Sequence, residues 1–344
     1  MPSSRLFPAW ARLAAVLVVA SGLASAQAPP GDAPAPAVEP EVVFVPPGDP
    51  PLPLLWQVSD ADNTVYLLGS FHLLKAGDYP LSGEVNDAFA DAEAVFFELP
   101  PEEMNSPQLP VQMMQAAVRT DGTQLDRDLP PATASRLQDW QAANAAALQA
   151  SGLTPARMQM FEPWFVGLMI SLTEMGKQGL DPKLGLDQHF IAAAGFAGKR
   201  TGGFESAAQQ IALLDGMDAD EQLQFIDEAL SQAANDDLQT LHGYWRAGDA
   251  EAIWSEMGAD MRSRYPKLYR HINVERNDAW IPKIEQLLAA PGTDDVLVVV
   301  GALHLLGEDG VVEKLRAKGH AVERICQACA PDGEESTRGG ERDD

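Results

Sequence analysis

The chain is poor in cysteine and in basic residues. Only two of its 344 residues are cysteine, and 24 Lys and Arg stand against 50 Asp and Glu, for a net charge of −26. A surface this acidic repels phosphate backbones, so we exclude nucleic acid as a partner. It attracts cations and cationic peptides instead, although many acidic surfaces serve solubility alone.

The two cysteines, Cys326 and Cys329, form the sequence Cys-Gln-Ala-Cys near the end of the chain. A zinc site needs a second pair of ligands at comparable spacing, and a thioredoxin-like site opens a helix after an early strand. The sequence offers neither context. In an exported protein the spacing therefore favours a short-loop disulfide.

Apolar runs long enough to span a bilayer are also missing. The stretch Leu13–Leu23 is too short for an ordinary membrane helix, but it follows Arg5 and Arg12 and precedes Ala24-Ser25-Ala26, which has the form of a signal-peptidase site. We interpret residues 1–26 as a cleaved secretory signal, with an uncleaved anchor as the alternative. The mature protein is then periplasmic or secreted and has no stable membrane span.

The composition divides the rest of the chain into three parts. Residues 27–53 are Pro-rich and predict an extended linker, residues 54–330 form the folded domain, and residues 331–344 are a polar, disordered tail. Within the domain, residues from about 105 to 290 are a mostly helical insertion. Its most apolar run, Trp164–Leu172, predicts a buried helix or a lid over a cleft.

One pattern, Gly-x-x-His-Leu-Leu, occurs twice, at Gly69–Leu74 and at Gly301–Leu306. Each copy follows an apolar run that predicts a buried strand, so His72 and His304 should lie just past the carboxyl ends of two strands. In α/β sheets, ligands bind at that edge. We expect each glycine to provide a tight turn, after which both imidazoles face one cleft.

Each copy of the pattern lies in the same succession of predicted elements: a strand, the GxxH turn, a helix and a second strand. In the first copy the succession begins with a hairpin. Such crossovers imply parallel pairing and an α/β fold. The predicted elements are the hairpin of Trp56–Val58 and Thr64–Leu68, a helix at Gly83–Ala92, strands at Ala94–Leu99, Val296–Val300 and Ala321–Ile325, a helix at Gly310–Arg316, and a short strand at Lys199–Phe204 that leads to Glu205.

Glu98 is the one acid in the apolar segment Phe96-Phe97-Glu98-Leu99. Burial without a partner costs a carboxylate several kcal/mol, so Glu98 should meet a cation, a metal or a hydrogen-bond donor. The alternative is that it faces water.

Two His and one Glu can bind Mn²⁺, Co²⁺, Zn²⁺ or Fe²⁺ with positions left for water and substrate. The HExxH motif that identifies many zinc proteases is absent from the sequence, so the fold must supply the geometry.

With these motifs the chain resembles the TraB/GumN family, which includes the Tiki metalloproteases and is distantly similar to the erythromycin-esterase and haem-binding ChaN folds. The resemblance covers approximately residues 54 to 326. It rests on several ordered motifs: Gly69-Ser70-Phe71-His72, Phe97-Glu98-Leu99, Gly185-Leu186-Asp187, Glu205-Ser206 with Gln209, Glu275-Arg276-Asn277, and Gly301-Ala302-Leu303-His304 with Gly307 and Gly310.

The resemblance implies a mixed sheet flanked by helices, with both GxxH turns and Glu98 in one site. In Tiki-like members this site supports Mn²⁺- or Co²⁺-dependent peptide cleavage. His72, Glu98 and His304 then become the metal ligands. Arg276 and Asn277 match a family pair on a helix, where the guanidinium can hold a carboxylate or an oxyanion. Glu205 matches a further recurring acid. Without the resemblance, surface pairing of Arg276 and Asn277 and a helix-capping role for Glu205 are equally compatible with the sequence.

These patterns predict an exported, metal-dependent hydrolase that acts on peptides or proteins. Two rivals remain: a binding or scaffold protein that holds haem, metal or polysaccharide in the same cleft, and an esterase-like hydrolase in which a histidine acts as general base without metal.

The signal prediction is tested by the mass of the mature chain. Export should remove the segment that ends at Ala26, because small residues at positions 24 and 26 suit the peptidase and the chain that follows is extended. Intact-mass analysis of the exported protein should find Gln27 at its amino terminus. A mature chain that still begins at Met1 would contradict the prediction.

Overall fold

The computed structural model describes residues 48–231 and 233–329. The predicted signal segment, most of the predicted linker and the predicted tail lie outside the described residues. The two cysteines near the end of the described part form the Cys326–Cys329 disulfide that the sequence predicts.

Six strands form one mixed sheet with the spatial order β4-β3-β5-β2-β1-β6. Neighbouring strands among β4, β3, β5 and β2 run parallel, whereas β1 runs antiparallel to both β2 and β6. The predicted α/β class with a mixed sheet is therefore confirmed. The strands are β1 (Leu55–Ser59), β2 (Thr64–Ser70), β3 (Ala94–Phe97), β4 (Arg200–Gly203), β5 (Val296–Gly301) and β6 (Val322–Arg324).

Helices flank the sheet, and most of them come between β3 and β5, as the sequence predicts. In chain order they are α1 (Gly83–Asp91), α2 (Pro101–Met104), α3 (Leu109–Ala117), α4 (Pro131–Ala143), α5 (Ala145–Ser151), α6 (Pro155–Met158), α7 (Pro163–Lys177), α8 (Leu186–Ala197), α9 (Ala207–Asp215), α10 (Ala219–Ala229), α11 (Ala233–Arg246), α12 (Ala250–Ile253), α13 (Asp260–Arg264), α14 (Pro266–Tyr269), α15 (Glu275–Leu288), α16 (Ala302–Leu305) and α17 (Val311–Ala317). Two π-helical turns, Trp254–Ala259 and Arg270–Val274, join α12 to α13 and α14 to α15.

The strand register brings the two GxxH segments side by side. The strand β5 lies between β2 and β3, and Ser70 pairs with Gly301 while Phe97 pairs with Val299. All six residues of β5 are buried, as expected for a central parallel strand that is covered on both faces. Segments more than two hundred residues apart in sequence therefore end at one edge of the sheet.

The glycines of the two GxxH segments lie within strand ends, where they allow close approach, and not in the tight turns that the sequence predicts. Gly69 lies in β2 and Gly301 ends β5, and neither has a positive φ. A Cβ on Gly69 would lie 3.2 Å from Cα of Ala302, so this glycine lets the two segments pack against each other. The positions of the two imidazoles are therefore set by the residues beside these glycines and not by a turn at the glycine itself.

The apolar run around Trp164 is a buried helix, α7, in agreement with one of the two predicted readings. Among the described residues, no helix is both long enough and apolar enough to cross a bilayer.

A close contact fixes α8 against the first GxxH segment. A Cβ on Gly185, the residue before α8, would lie 2.0 Å from the carbonyl oxygen of His72. Just after it, the N–H of Leu186 donates to the carbonyl oxygen of Phe71 at 3.3 Å. A glycine at position 185 is therefore required for the first turn of α8 to dock beside His72.

We expect Gly185→Ala to lower the free energy of unfolding by about 1–3 kcal/mol, because the added methyl group forces α8 away from His72. Urea denaturation measures the change. The matched control is Gly195→Ala in the exposed part of the same helix, where a Cβ meets nothing within 4 Å. That control should stabilise the protein by about 0.5–1 kcal/mol. Equal effects of the two substitutions would contradict the docking argument.

Candidate functional site

Four parallel strands deliver a polar side chain to the same edge of the sheet. His72 follows β2, Glu98 follows β3, Glu205 follows β4, and His304 follows β5 within α16. The carboxyl ends of parallel strands lie at one edge, which is where α/β proteins bind their ligands. The position of these four residues agrees with the edge that the sequence predicts.

Glu98 is at the centre of the cluster. The strand β3 ends one residue earlier, and Glu98 is 1% exposed. Its Oε1 accepts the backbone N–H of Gly301 at 2.8 Å, and its Oε2 accepts Nη2 of Arg276 at 2.6 Å. Burial raises the pKa of this carboxyl, and the charges of Arg276 and His72 counteract part of that rise. The predicted burial with a cationic partner is confirmed, and the partner is Arg276.

His72 is held through its Nδ1 by a carboxylate on α8. Nδ1 lies 2.8 Å from Oδ2 of Asp187, and the hydroxyl of Ser70 donates to the same oxygen. Nε2 of His72 faces Oε1 of Glu98 at 3.8 Å. Burial disfavours the imidazolium, but Asp187 and then Glu98 outweigh it and raise the pKa of His72 to about 9. Although burial opposes ionisation of Asp187, His72 and Ser70 lower the pKa of its carboxyl.

His304 is held in the neutral form with its proton on Nδ1. Nδ1 lies 2.7 Å from Oδ1 of Asn277, and Nε2 lies 3.0 Å from Nη1 of Arg276. Burial and the Arg276 charge hold the pKa of His304 well below its usual range. Because a guanidinium only donates, Nε2 must be the acceptor and Nδ1 the donor. The amide of Asn277 is fixed in turn by its donation to the carbonyl oxygen of Asp309 at 2.8 Å.

Arg276 connects the parts of the cluster. Its Nε and Nη2 donate to the carboxylate of Glu205 at 2.8 Å each, its Nη2 also reaches Glu98, and the guanidinium carbon lies 4.9 Å from the ring centroid of Trp280. Trp280 donates its indole N–H to Glu205 at 2.9 Å and packs against His304 with the ring centroids 4.5 Å apart. Burial lowers the pKa of Arg276, but Glu98 and Glu205 raise it by more, so the side chain stays charged.

The six residues singled out in the sequence therefore lie in one cluster: His72, Glu98, Glu205, Arg276, Asn277 and His304. Arg276 and Asn277 face inward from the first turn of α15 and are buried, so surface pairing is the wrong reading of them. Glu205 is the bidentate partner of Arg276 and lies before the capping residue of α9, Ser206. It is an ion-pair partner rather than a helix cap.

Sequence reasoning assigned no role to Asp187, Ser70 and Trp280. Asp187 stood among the motifs of the family resemblance without a function, and no spacing rule links it to a histidine more than one hundred residues away. Ser70 is part of the first GxxH segment itself. It is the last residue of β2, two positions before His72, and this nearness in sequence was the available signal.

The other four histidines have partners elsewhere. His242 pairs with buried Asp78, His271 with Glu221 and His320 with Glu285, while the ring of His189 packs against Tyr79.

The donor types in the cluster suit a divalent cation, but the lone pair of one donor, Nε2 of His304, is already used. In the described part of the chain, no group of three or more His, Cys, Asp and Glu side chains is arranged so that it could hold a metal ion as it stands. Nε2 of each histidine is nearly 4 Å from Oε1 of Glu98, and Arg276 uses the lone pair of His304.

Two observations nevertheless favour a cation. The cluster contains three carboxylates but only one guanidinium: Glu98 and Glu205 pair with Arg276, and Asp187 pairs with His72, so the cluster has excess negative charge whenever His72 is neutral. A Cβ on Gly301 would lie 3.0 Å from Nε2 of His72 and 3.2 Å from Oε1 of Glu98, and its absence leaves a small cradle between these donors. A divalent ion bound here would require Nη1 of Arg276 to release Nε2 of His304.

Comparison with known proteins finds relatives that share most of this chain. The protein YbaP of Escherichia coli (strain K12), described as uncharacterized, is 26% identical over 257 residues, which are 73% of this chain and 87% of YbaP. YbaP of Shigella flexneri, also uncharacterized, matches with the same identity and coverage. No solved structure matches the chain. The family model of the TraB/PrgY/gumN family matches residues 54–324, the part that contains the whole sheet and the cluster. The chain belongs to the TraB/PrgY/gumN family.

Proposed function

We propose that the protein is an exported, metal-dependent hydrolase that cleaves peptide bonds. The observation that carries the proposal is that Nε2 of His72 and Nε2 of His304 face the same oxygen of Glu98, at 3.8 and 3.9 Å. Each imidazole is anchored through Nδ1, by Asp187 in one case and Asn277 in the other, as is usual for histidines that ligate metals.

The proposed ion is Mn²⁺ or Co²⁺, as the family resemblance implies, and Zn²⁺ and Fe²⁺ suit the same donors. Such an ion supplies an acidified water and polarises a substrate carbonyl. The proposal of export, to the periplasm or the medium, rests on the apolar segment and small-residue site in the first 26 residues.

The chain's own side chains would each have a separate task. Asp187 holds His72 in one orientation, and Asn277 keeps the proton of His304 on Nδ1, which leaves its Nε2 lone pair directed at the centre. Glu98 supplies negative charge between the two rings. Arg276, held by Glu98, Glu205 and the carbonyl oxygen of Ile272, would direct the Nη1–H that His304 releases at the oxyanion that develops on a carbonyl under attack.

A second function is favoured by the 3.0 Å contact between Nη1 of Arg276 and Nε2 of His304. If that contact persists in the working enzyme, the His72–Asp187 pair would act as general base toward water once His72 is neutral, which its raised pKa of about 9 places at alkaline pH, and the charge of Arg276 would lie near the anion. This is the esterase-like reaction without metal. The metal-dependent reaction differs from this one in a single requirement: Nε2 of His304 must release Arg276 and bind the cation instead.

The variants His72→Ala, His304→Ala and Glu98→Gln should each lower bound divalent metal and peptidase activity together. The three side chains share one ion in this proposal, so each loss removes the same centre. Metal content by plasma mass spectrometry and peptide cleavage by mass spectrometry are measured on the same preparations. His320→Ala is the matched histidine control, because His320 pairs with Glu285 on the surface, and it should retain both.

Chelation separates the two proposed reactions. Exhaustive chelation should abolish wild-type activity, and Mn²⁺ or Co²⁺ should restore it to the wild type but not to the three variants. Undiminished turnover after chelation would reject the metal-dependent reaction in favour of the general-base reaction. Tight binding of a ligand with no turnover under any metal would favour a binding protein over both.

Arg276→Lys should lower kcat by about 10²–10³-fold while the protein keeps its metal, because the ammonium cannot reproduce the fork that holds Glu205 and points at the centre. Arg276→Ala should in addition destabilise the fold by about 3–5 kcal/mol, since it leaves two buried carboxylates without their cation. The control is Arg200→Lys in the exposed pair with Asp294, which should change neither quantity. Normal turnover in Arg276→Lys would show that Arg276 only balances charge.

A further inference from the structure

An apolar cleft lies directly beside the two histidines. It has a volume of about 50 Å³, and it is bounded on one side by both GxxH segments. Its apolar lining includes Phe71, Leu241, Ile253, Met257, Ile272 and Leu303. Apart from the residues of the cluster and Asn273, the side chains that line it are almost entirely aliphatic or aromatic. A group that occupies this cleft would touch the centre where bond cleavage is proposed.

Asn273 is one of the lining residues, and its buried side chain carries an unpaired acceptor. Its side chain is 1% exposed, and its Oδ1 has no hydrogen-bond partner among the described residues. The orientation of the amide is set from the other side, because Nδ2 donates to the hydroxyl of Tyr269 at 3.3 Å, and that hydroxyl donates onward to Asp309. A buried acceptor without a donor costs about 1–3 kcal/mol, so a water or a ligand N–H is expected to satisfy it.

The backbone around the cleft is also unusual. Met257 lies in the π-helical turn Trp254–Ala259, and Ile272 and Asn273 lie in the second π-helical turn, Arg270–Val274. Such turns are rare, and they occur frequently at functional sites, where the extra residue re-aims a side chain. Here both π-helical turns contribute residues to the same cleft, and the second leads directly into Arg276.

From these observations we infer that the cleft is a specificity pocket for an aliphatic substrate side chain, and that Oδ1 of Asn273 accepts a backbone N–H of the same substrate residue. The inference rests on the proposed function and extends it: the substrate class is a peptide with an aliphatic residue next to the bond that is cleaved. The apolar walls penalise a charged or strongly polar side chain, because its desolvation is not repaid there.

Aliphatic side chains match these walls best. The side chains of valine, leucine, isoleucine and methionine carry no polar group that burial in the cleft would leave without a partner. The pocket therefore prefers an aliphatic residue over serine and aspartate.

The first experiment measures cleavage of a peptide pool in which one position carries leucine, serine or aspartate. In the wild type, kcat/KM for leucine should exceed the values for the other two by about tenfold or more, the usual discrimination of an apolar pocket. Met257→Phe narrows the cleft and should shift the preference toward alanine, by tenfold or more in the ratio of leucine to alanine. Met217→Phe is the matched control, since Met217 is similarly buried but does not line the cleft.

The second experiment tests Asn273 and has a readout that needs no turnover. Binding of N-acetyl-leucinamide and of its N-methyl analogue, which lacks the relevant N–H, is compared by NMR titration. The wild type should prefer the parent compound by about fivefold or more. Asn273→Leu should lose this preference, and Asn273→Asp, which keeps an acceptor, should retain it. If Asn273→Leu does not fold, the wild type and Asn273→Asp still decide the matter.

The two proposals fail in different ways. If no peptide is cleaved but N-acetyl-leucinamide binds and Met257→Phe abolishes binding, the pocket stands and the hydrolase proposal falls. If peptides are cleaved with no preference for aliphatic residues, or Met257→Phe and Met217→Phe behave alike, the pocket is overturned. Equal binding of the parent and N-methyl compounds to the wild type overturns the role of Asn273.

Discussion

The arrangement of this site depends on one buried guanidinium, which balances the negative charge of the carboxylates around it. Arg276 pairs with Glu98 and Glu205, which follow different strands, and it also donates to His304. Two carboxylates in this low-dielectric setting would each be costly alone, and one planar fork satisfies both. The same contacts fix the amino-terminal turn of α15 against the edge of the sheet. The same hydrogen bonds therefore balance the charge of the carboxylates and set the geometry of the site.

The sheet order explains why distant segments share this site. Because β5 lies between β2 and β3, the ends of all three strands are adjacent, and the register aligns Ser70 with Gly301. The missing side chain at Gly301 then leaves room between His72 and Glu98. The small cradle that results is walled by polar groups on the sheet side. Toward the helical insertion, the apolar cleft that contains Met257 and Asn273 continues it.

The sequence predicted the parts of the site that carry local signals. The repeated GxxH pattern identified His72 and His304, and the burial of an acid between Phe97 and Leu99 identified Glu98. Arg276, Asn277 and Glu205 came from the family resemblance, since a charged residue near a helix start is most often on the surface. Those side chains turn out to be ordered by tertiary contacts that no spacing rule encodes.

Other features could not be predicted because they depend on packing across the fold. The insertion of β5 between β2 and β3 is a choice among several strand orders that the same crossovers allow. The pairing of His72 with Asp187 requires α8 to approach the backbone closely at Gly185.

The central claim is that His72, Glu98 and His304 share one divalent ion. The most direct test is an anomalous difference map from crystals of the protein grown with Mn²⁺: the account predicts one strong peak within bonding distance of both Nε2 atoms and Glu98, and a map with no peak there would contradict it.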